Sequence, residues 1–334
     1  MKCRVVKLFS KNVVCLCPGA GRMDRTESMI HADTLFSALC NALLKLYDEG
    51  VLLQFAERVV LSSLFPGLRS EDGKDLLFLP RPVAPFSTSD TDLLRRKKEK
   101  KVSWFSWKAF AKVISRFNAK QLRFDCNLLN EEIFALEGRF ALLSEEKEML
   151  GALQGFGFLS GVEPHVAIDR VSNTAFEEGG FYFQENLVLT TGTENTTPFL
   201  YFLVHYERFE EVLQPALNLL VEEGIGGERH QGKGIFDRWE SEEIELPDQG
   251  NYLALFSVAL PNREETGNLI YYDLVLRRGF VYHGGPTAFY KKPIFKLVEG
   301  SIVRLPFAGC NIDVAPRDDY RVISYGKALG FAFS

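Results

Sequence analysis

Five glycines stand within eleven residues of this chain, in the run Gly224-Ile225-Gly226-Gly227-Glu228-Arg229-His230-Gln231-Gly232-Lys233-Gly234. Glycine reaches left-handed backbone conformations without the clash a Cβ brings, and successive exposed amides in such a turn form a concave site for an anion. Arg229, His230 and Lys233 add charge to the same loop, so phosphate is the expected anion. Upstream, Phe209, Val212, Leu213, Ala216, Leu217 and Leu220 recur at helical spacing and put one apolar helix face directly before the loop. Pro215 interrupts that face and marks a kink or its effective first turn. Residues 235–239 read as a short strand.

The order helix, glycine loop, strand excludes the familiar nucleotide motifs. Gly227-x-x-x-x-Gly232-Lys233 follows most of a Walker A pattern, but Gly234 takes the place of the Ser or Thr that would hold magnesium. A P-loop also runs from strand to helix, and a dinucleotide fingerprint fails on the same inversion. A glycine-rich helix cap and turn with no ligand is the structural alternative.

With 334 residues, 46% hydrophobic and 25% charged, the chain is globular and long enough for two domains. The 28 phenylalanines are expected to fill their cores. A net charge of −5 excludes indiscriminate nucleic-acid binding, so any RNA contact has to be local. The cysteines offer one C-x-C pair, Cys15 and Cys17, and no spacing suited to a metal, so neither a metal nor a cofactor is expected. No signal peptide is recognisable, and no apolar run approaches the roughly 18 residues of a membrane helix. The expectation is a cytoplasmic protein with reduced thiols and no membrane partner.

Residues 4–9 read as a strand, followed by a Gly-rich turn at 18–21 and a loop with Arg22, Asp24 and Arg25. A helix is expected from near Asp33 to Tyr47, with Leu35, Phe36, Leu39, Ala42, Leu43 and Leu46 as its apolar face. Residues 76–81 and 199–206 read as further strands. The acidic, proline-containing stretch 240–249 reads as a connection, with strands at 251–260 and 271–282 beyond it. These pieces predict an α+β protein. Residues 1–247 would form a ferredoxin-like (RRM-like, β-α-β-β-α-β) domain with long insertions, and residues 248–334 a smaller unit that could be a degenerate copy.

The first insertion, about 90–108, holds six positive charges in the seven residues Arg95-Arg96-Lys97-Lys98-Glu99-Lys100-Lys101, followed by Trp104-Phe105-Ser106-Trp107. It reads either as a phosphate-attracting, base-stacking segment or as a solvated loop before a helix whose aromatics face the core. The second, about 161–193, contains alternating stretches at 165–170 and 180–183 that predict a hairpin with a polar tip at 172–174 and 177–180.

Four blocks in order resemble the RAMP superfamily of CRISPR-associated proteins. They are His31-Ala32-Asp33-Thr34-Leu35-Phe36-Ser37-Ala38-Leu39, Ile168-Asp169-Arg170-Val171-Ser172-Asn173-Thr174-Ala175, the glycine run, and Tyr325-Gly326-Lys327-Ala328. Their spacing, with the terminal block from Glu299-Gly300-Ser301 to Tyr325-Gly326, resembles the fourth subunit of the type III-A Csm effector complex. The resemblance implies two ferredoxin-like domains, no catalytic centre, and a grip on the 5′ repeat-derived handle of CRISPR RNA. It further implies docking to the large polymerase-type subunit and to a backbone RAMP subunit, with target RNA met only indirectly, in defence against viruses. The Arg95–Lys101 run has no place in that pattern.

On this reading Gly226, Gly227, Gly232 and Gly234 let the main chain approach phosphates while Arg229, His230, Gln231 and Lys233 supply hydrogen bonds and charge. His31 and Asp33 would add a polar edge at a helix N-terminus, although Asp33 reads equally well as an N-cap. His165 lies in the hairpin, which by resemblance is a thumb where Arg170 and Asn173 hold the backbone beside an unstacked nucleotide. Packing of this arm on a neighbouring protein is its structural alternative. Lys291 and Lys292, after the turn Tyr282-His283-Gly284-Gly285, would extend the basic track. Two other functions stay open. One is a metal-independent repeat-RNA endonuclease using His31, His165, His205, His230 or His283, none of which has an obvious acid or base partner in sequence. The other is a protein-only scaffold.

Overall fold

A computed structural model describes residues 1–10, 14–16, 29–87, 93–136, 139–149, 153, 155–175, 180–191, 193, 195–227, 229–281 and 289–334. The first strand, β1 (Lys2–Phe9), is buried continuously from Val5 onward, as a strand covered on both faces requires. Helix α1 (Ala32–Leu46) buries Leu35, Phe36, Leu39, Ala42 and Leu43 along one stripe. Helix α2 (Glu49–Arg58) follows, its first turn capped by Asp48, which accepts the Val51 N–H. Strands β2 (Phe65–Arg69) and β3 (Asp75–Pro80) pair as a hairpin. Helix α3 (Leu93–Lys101), strand β4 (Trp104–Ser106) and helix α4 (Trp107–Ile114) come next, then β5 (Ile133–Leu136) and β6 (Phe140–Leu143). A long arm of β7 (Gly157–Val166) and β8 (Phe181–Thr190) leads to β9 (Thr197–His205). A π-helical turn, Phe209–Leu213, enters α5 (Gln214–Glu223) with Pro215 in its first turn, and β10 (Arg238–Glu245) closes this part.

The main sheet runs β10-β1-β9-β2-β3-β4-β6-β5. Each of its first four strands is antiparallel to its neighbour, so β1 and β2 point the same way with β9 between them. Helices α1 and α5, which make the two crossovers, pack against each other. Phenylalanines dominate the core as expected, with Phe9 and Phe199 at 4.9 Å and Phe78 and Phe140 at 4.7 Å between ring centres.

The C-terminal part adds β11 (Tyr252–Leu255), β12 (Leu269–Tyr271), β13 (Leu274–Arg277), β14 (Ile294–Leu297), β15 (Ile302–Arg304) and β16 (Gly330–Phe333). Four of them form a sheet in the order β12-β15-β11-β16. Strand β11 alternates between two cores: Tyr252 and Ala254 join the main one, while Leu253 and Leu255 face a small second one with Leu297, Val303 and Phe307. The molecule is therefore mixed α+β and rich in sheet. The expected helices of a second β-α-β-β-α-β unit are not seen. Among the described residues beyond 247 the only helical segment is the 3-10 turn Glu265–Asn268, because this stretch alternates apolar and polar residues and lacks a helical period.

Other expectations shift with it. Residues 240–245, read as an acidic connection, are the edge strand β10, whose glutamates meet the cations of β1: Arg4 bonds Glu243 at 3.1 Å and Lys7 pairs with Glu242 at 2.8 Å. The strand expected at 235–239 starts only at Arg238, since Phe236 turns into the core and Asp237 N–H bonds Phe9 O at 2.8 Å. The basic run is a helix rather than a solvated loop. Trp104 and Phe105, after it, are buried in a strand, so they offer no stacking surface. The turn at 18–21, the loop with Arg22, Asp24 and Arg25, the tip residues 177–179 and the turn 282–285 lie outside the described residues.

Candidate nucleic-acid interface

Helix α5 ends where Gly224 takes φ 78° and its N–H bonds Leu220 O at 2.8 Å. The two ends of the glycine run then close on each other through Ile225 N–H to Gly234 O, 2.9 Å. Gly234 has φ 71°, and a Cβ there would lie 2.1 Å from Ile225 O, so no other residue fits this neck. Ile225, Lys233 and Gly234 are buried, whereas Gln231 and Gly232 are exposed and Gly226, Gly227 and Arg229 are half-buried. The loop is thus closed at its base and open at its tip. A 3-10 turn, Arg229–Gln231, shapes that tip, and a Cβ on Gly232 would meet nothing within 4 Å. The His230 side chain lies outside the described residues.

Lys233 departs from its expected role as a phosphate ligand. Its ammonium is held 2.7 Å from Glu163 Oε2 on β7 and 2.8 Å from Asn186 Oδ1 on β8. The hydrogen bond from Lys233 is the largest influence that holds the Glu163 carboxyl below its ordinary range. Lys233 therefore ties the glycine loop to the middle of the hairpin arm. Glu163 and Asn186 escaped sequence reasoning because nothing local marks a partner 47 or 70 residues away.

The arm is longer than the expected stretches at 165–170 and 180–183, pairing Gly157 with Thr190 at one end and Val166 with Phe181 at the other. His165 stacks on Tyr182 across it, ring centres 5.3 Å apart and planes at 12°. Beyond lies a small ladder, Ile168–Asp169 with Thr174–Ala175, closed by a turn in which Asn173 takes φ 58° and bonds Asp169 O at 2.8 Å. Asp169 also accepts the Val171 N–H and the Ser172 hydroxyl, which lower its pKa. Arg170 and Asn173 are exposed at this tip, on the same arm that Lys233 joins to the glycine loop.

His31 and Asp33 sit elsewhere and do something else. Asp33 is not the N-cap of α1. His31 occupies that position without a side-chain cap, and the Ala32 N–H is satisfied instead by the Ser63 hydroxyl at 2.8 Å. Ser63 in turn donates to Glu299, whose Oε1 is also 2.8 Å from His31 Nδ1. A carboxylate is thereby buried against a helix N-terminus, where the dipole favours it. Burial alone would raise the Glu299 pKa, but His31 and the hydrogen bonds from His31 and Ser63 bring it down. Asp33 receives Arg277 in bidentate fashion, 3.0 Å from Nε and 3.0 Å from Nη2, and Lys296 Nζ at 3.0 Å. Burial is again the largest influence, yet Arg277 and Lys296 outweigh it and hold this carboxyl well below the usual range. These residues form a clamp between α1 and the C-terminal part, where Arg277 and Lys296 lie on the paired strands β13 and β14, not an edge open to RNA. Tyr325 extends the same seam, its hydroxyl accepting the Leu61 N–H at 2.8 Å.

Lys291 is half-buried beside this cluster, and burial lowers its pKa against the pull of Asp33, so it faces inward rather than along a surface track. Lys292 is exposed. Of the remaining histidines, His205 Nδ1 lies 2.7 Å from Lys2 O, and His283 is outside the described residues. Among the described residues no group of three His, Cys, Asp or Glu side chains is placed to hold a metal, and no helix is long and apolar enough to cross a membrane.

Comparison with known proteins bears out the resemblance read from the four blocks. The family model of the CRISPR Csm4 C-terminal domain matches residues 248–333. A CRISPR system protein Csm4 of Methanocaldococcus jannaschii is 27% identical over 334 residues, covering 90% of this chain and 86% of that one. The Csm4 of Streptococcus thermophilus is 25% identical over 330 residues, 94% of each. Among solved structures, a chain of a Csm3-Csm4 subcomplex in the type III-A CRISPR-Cas interference complex superposes with a TM-score of 0.68 at 22% identity, over 99% of both chains. A chain of a Csm1-Csm4 cassette in complex with pppApA gives 0.57 at 20%, over 100% of this chain and 99% of that one. The two structural likenesses speak to the fold.

Proposed function

We propose that this Csm4-like chain is a non-catalytic subunit of a type III CRISPR effector complex that holds the 5′ repeat-derived handle of the CRISPR RNA. The observation that carries the reading is the glycine loop itself. Its neck is fixed by the Gly224 and Gly234 conformations, its tip is open, and Lys233 joins it to a projecting arm with Arg170 and Asn173 at the end. A splayed single strand is gripped by such a combination of backbone amides, a few cationic ends and a lateral arm. The strand order β10-β1-β9-β2, with crossovers by α1 and α5, supports reading the first half as ferredoxin-like.

The named relatives occur with Csm3 and with Csm1, which suggests that this chain likewise bridges a backbone subunit and the large polymerase-type subunit. Within that arrangement Arg229 and the amides around Gly226 receive the handle phosphates. The arm lies where the handle passes into the guide. Bond cleavage is left to other subunits: His31, among the described residues the one buried histidine with a carboxylate partner, is enclosed in the clamp. The test is to incubate the purified chain with repeat RNA. Retention of an intact handle is the expected result, and specific scission of the precursor would replace this function with that of an endonuclease.

A further inference from the structure

The helix α3 is left over by the glycine loop, the arm and the clamp. Arg96, Lys97, Lys98, Lys100 and Lys101 on it are all exposed, and no ion pair joins any of them to a described residue. Their solitude is not the result of a floppy segment. The helix is bolted down through the single acid in the run: Glu99 is 8% exposed and its Oε1 accepts the Leu129 N–H at 3.2 Å. Arg81 grips the same turn, donating to Glu99 O at 2.7 Å and to Val102 O at 3.3 Å, while Val102 is 1% exposed. One face is thus spent on anchorage, and the cations take up the rest.

Held in a helix, Arg96 and Lys100 stand four residues apart, as do Lys97 and Lys101, and like charges at that spacing repel. The helix dipole welcomes Lys98, Lys100 and Lys101 in the last turn but offers nothing to Arg96 and Lys97. A chain of net charge −5 has carboxylates to spare for pairing, and elsewhere it uses them, as Lys108 with Glu145 and Arg116 with Glu132 show. Five cations that no described residue pairs, on an anchored support, therefore call for an external anion. Among the described side chains of the helix, 96–101, the exposed ones are all cationic, so that stretch has no apolar centre of the kind a protein-docking surface carries. A polyphosphate backbone needs no such centre.

We propose that α3 is a second nucleic-acid site, separate from the glycine loop, which binds the phosphodiester backbone of a single strand without reading its sequence. The six residues from Arg96 to Lys101 rise about 9 Å along the helix. Three of the five cations facing phosphates at once would contribute about 2 units to the slope of log affinity against log salt, at roughly 0.7 per contact on a single strand. The proposal does not depend on handle recognition.

The experiment measures fluorescence anisotropy of oligo(U) RNA and oligo(dT), neither of which contains a handle, with the full chain across a potassium chloride series. The variant carries Arg96, Lys97, Lys98, Lys100 and Lys101 all changed to Gln, a good helix former that leaves Glu99 in place. Thermal unfolding of both proteins checks the fold, and a second variant with the four lysines changed to Arg keeps the charge. The expected result is a salt slope shallower by about 2 for the Gln variant on both oligonucleotides, with the Arg variant unchanged. A loss confined to oligo(U) supports the site and assigns it to RNA. A slope unchanged to within about half a unit overturns it. So does a Gln variant that keeps its slope but loses a polypeptide partner after nuclease treatment, which would assign the helix to an acidic protein. Handle retention is scored separately, so either result can fail without the other.

Discussion

Asp33→Asn puts the clamp between α1 and the β13–β14 ladder to the test. Asp33 is the carboxylate that answers both Arg277 and Lys296, whose side chains are 9% and 0% exposed. Asn keeps the shape and one acceptor but removes the carboxylate charge that both buried cations face. Breaking a buried pair by removing one partner costs about 3–5 kcal/mol, and the acceptor that Asn retains points to the lower end, near 3. With a urea dependence of roughly 3 kcal/mol per molar, the unfolding midpoint should fall by about 1 M. The same substitution in a Lys296→Met background removes one of the buried cations as well, and should cost less by about 1–3 kcal/mol. Urea titration of the four proteins, followed by far-ultraviolet circular dichroism, gives the full cycle. A loss below about 1 kcal/mol for Asp33→Asn, or strict additivity with Lys296→Met, would refute the argument that this cluster carries the seam.

Acid should attack the same place: Asp33 and Glu299 both have lowered pKa values in the folded state, so their stabilisation is complete above the unfolded values near 4 and is lost as the pH falls below them. Wild-type stability should stay flat from pH 7 to 5 as far as these two groups are concerned, then drop more steeply below about 4 than that of Asp33→Asn. The single changes Lys233→Glu and Glu163→Lys should each loosen the junction of loop and arm, read as faster amide exchange in 157–190. The double swap should restore protection, whereas a swap no better than either single would deny the tie. Gly234→Ala should destabilise by about 2 kcal/mol or more, since its Cβ would meet Ile225 O at 2.1 Å; a neutral change in melting temperature would contradict the closed neck. In handle binding, Arg229→Ala should flatten the salt slope by about 0.7 while Lys233→Met lowers affinity with little change of slope, and equal slope losses for the two would return Lys233 to the phosphates.

The parts of the molecule that were legible in the sequence are those whose cause is local. The helical period in 209–220, Pro215 at the start of α5, the apolar stripe of α1 and the glycine run each declare themselves within one or two turns of chain. Long-range pairing is what the sequence hid. Glutamates 240, 242 and 243 look like a solvated linker until β1 lies beside them and matches them with Arg4 and Lys7. The His31-Ala32-Asp33 block looks like a ligand-binding helix start, and only the arrival of Arg277, Lys296 and Glu299, more than 240 residues later, turns it into a clamp. Lys233 misled for a related reason: a lysine in a glycine loop usually means phosphate, and nothing nearby announces Glu163.

Handle recognition turns on what the open tip of the glycine loop touches. A photo-crosslinking amino acid placed at the exposed Gln231, in a complex assembled with CRISPR RNA, should capture RNA, and sequencing the captured strand should place the link within the repeat-derived 5′ handle. Crosslinks that fall on a partner protein alone, or on guide nucleotides scattered away from the 5′ end, would contradict it.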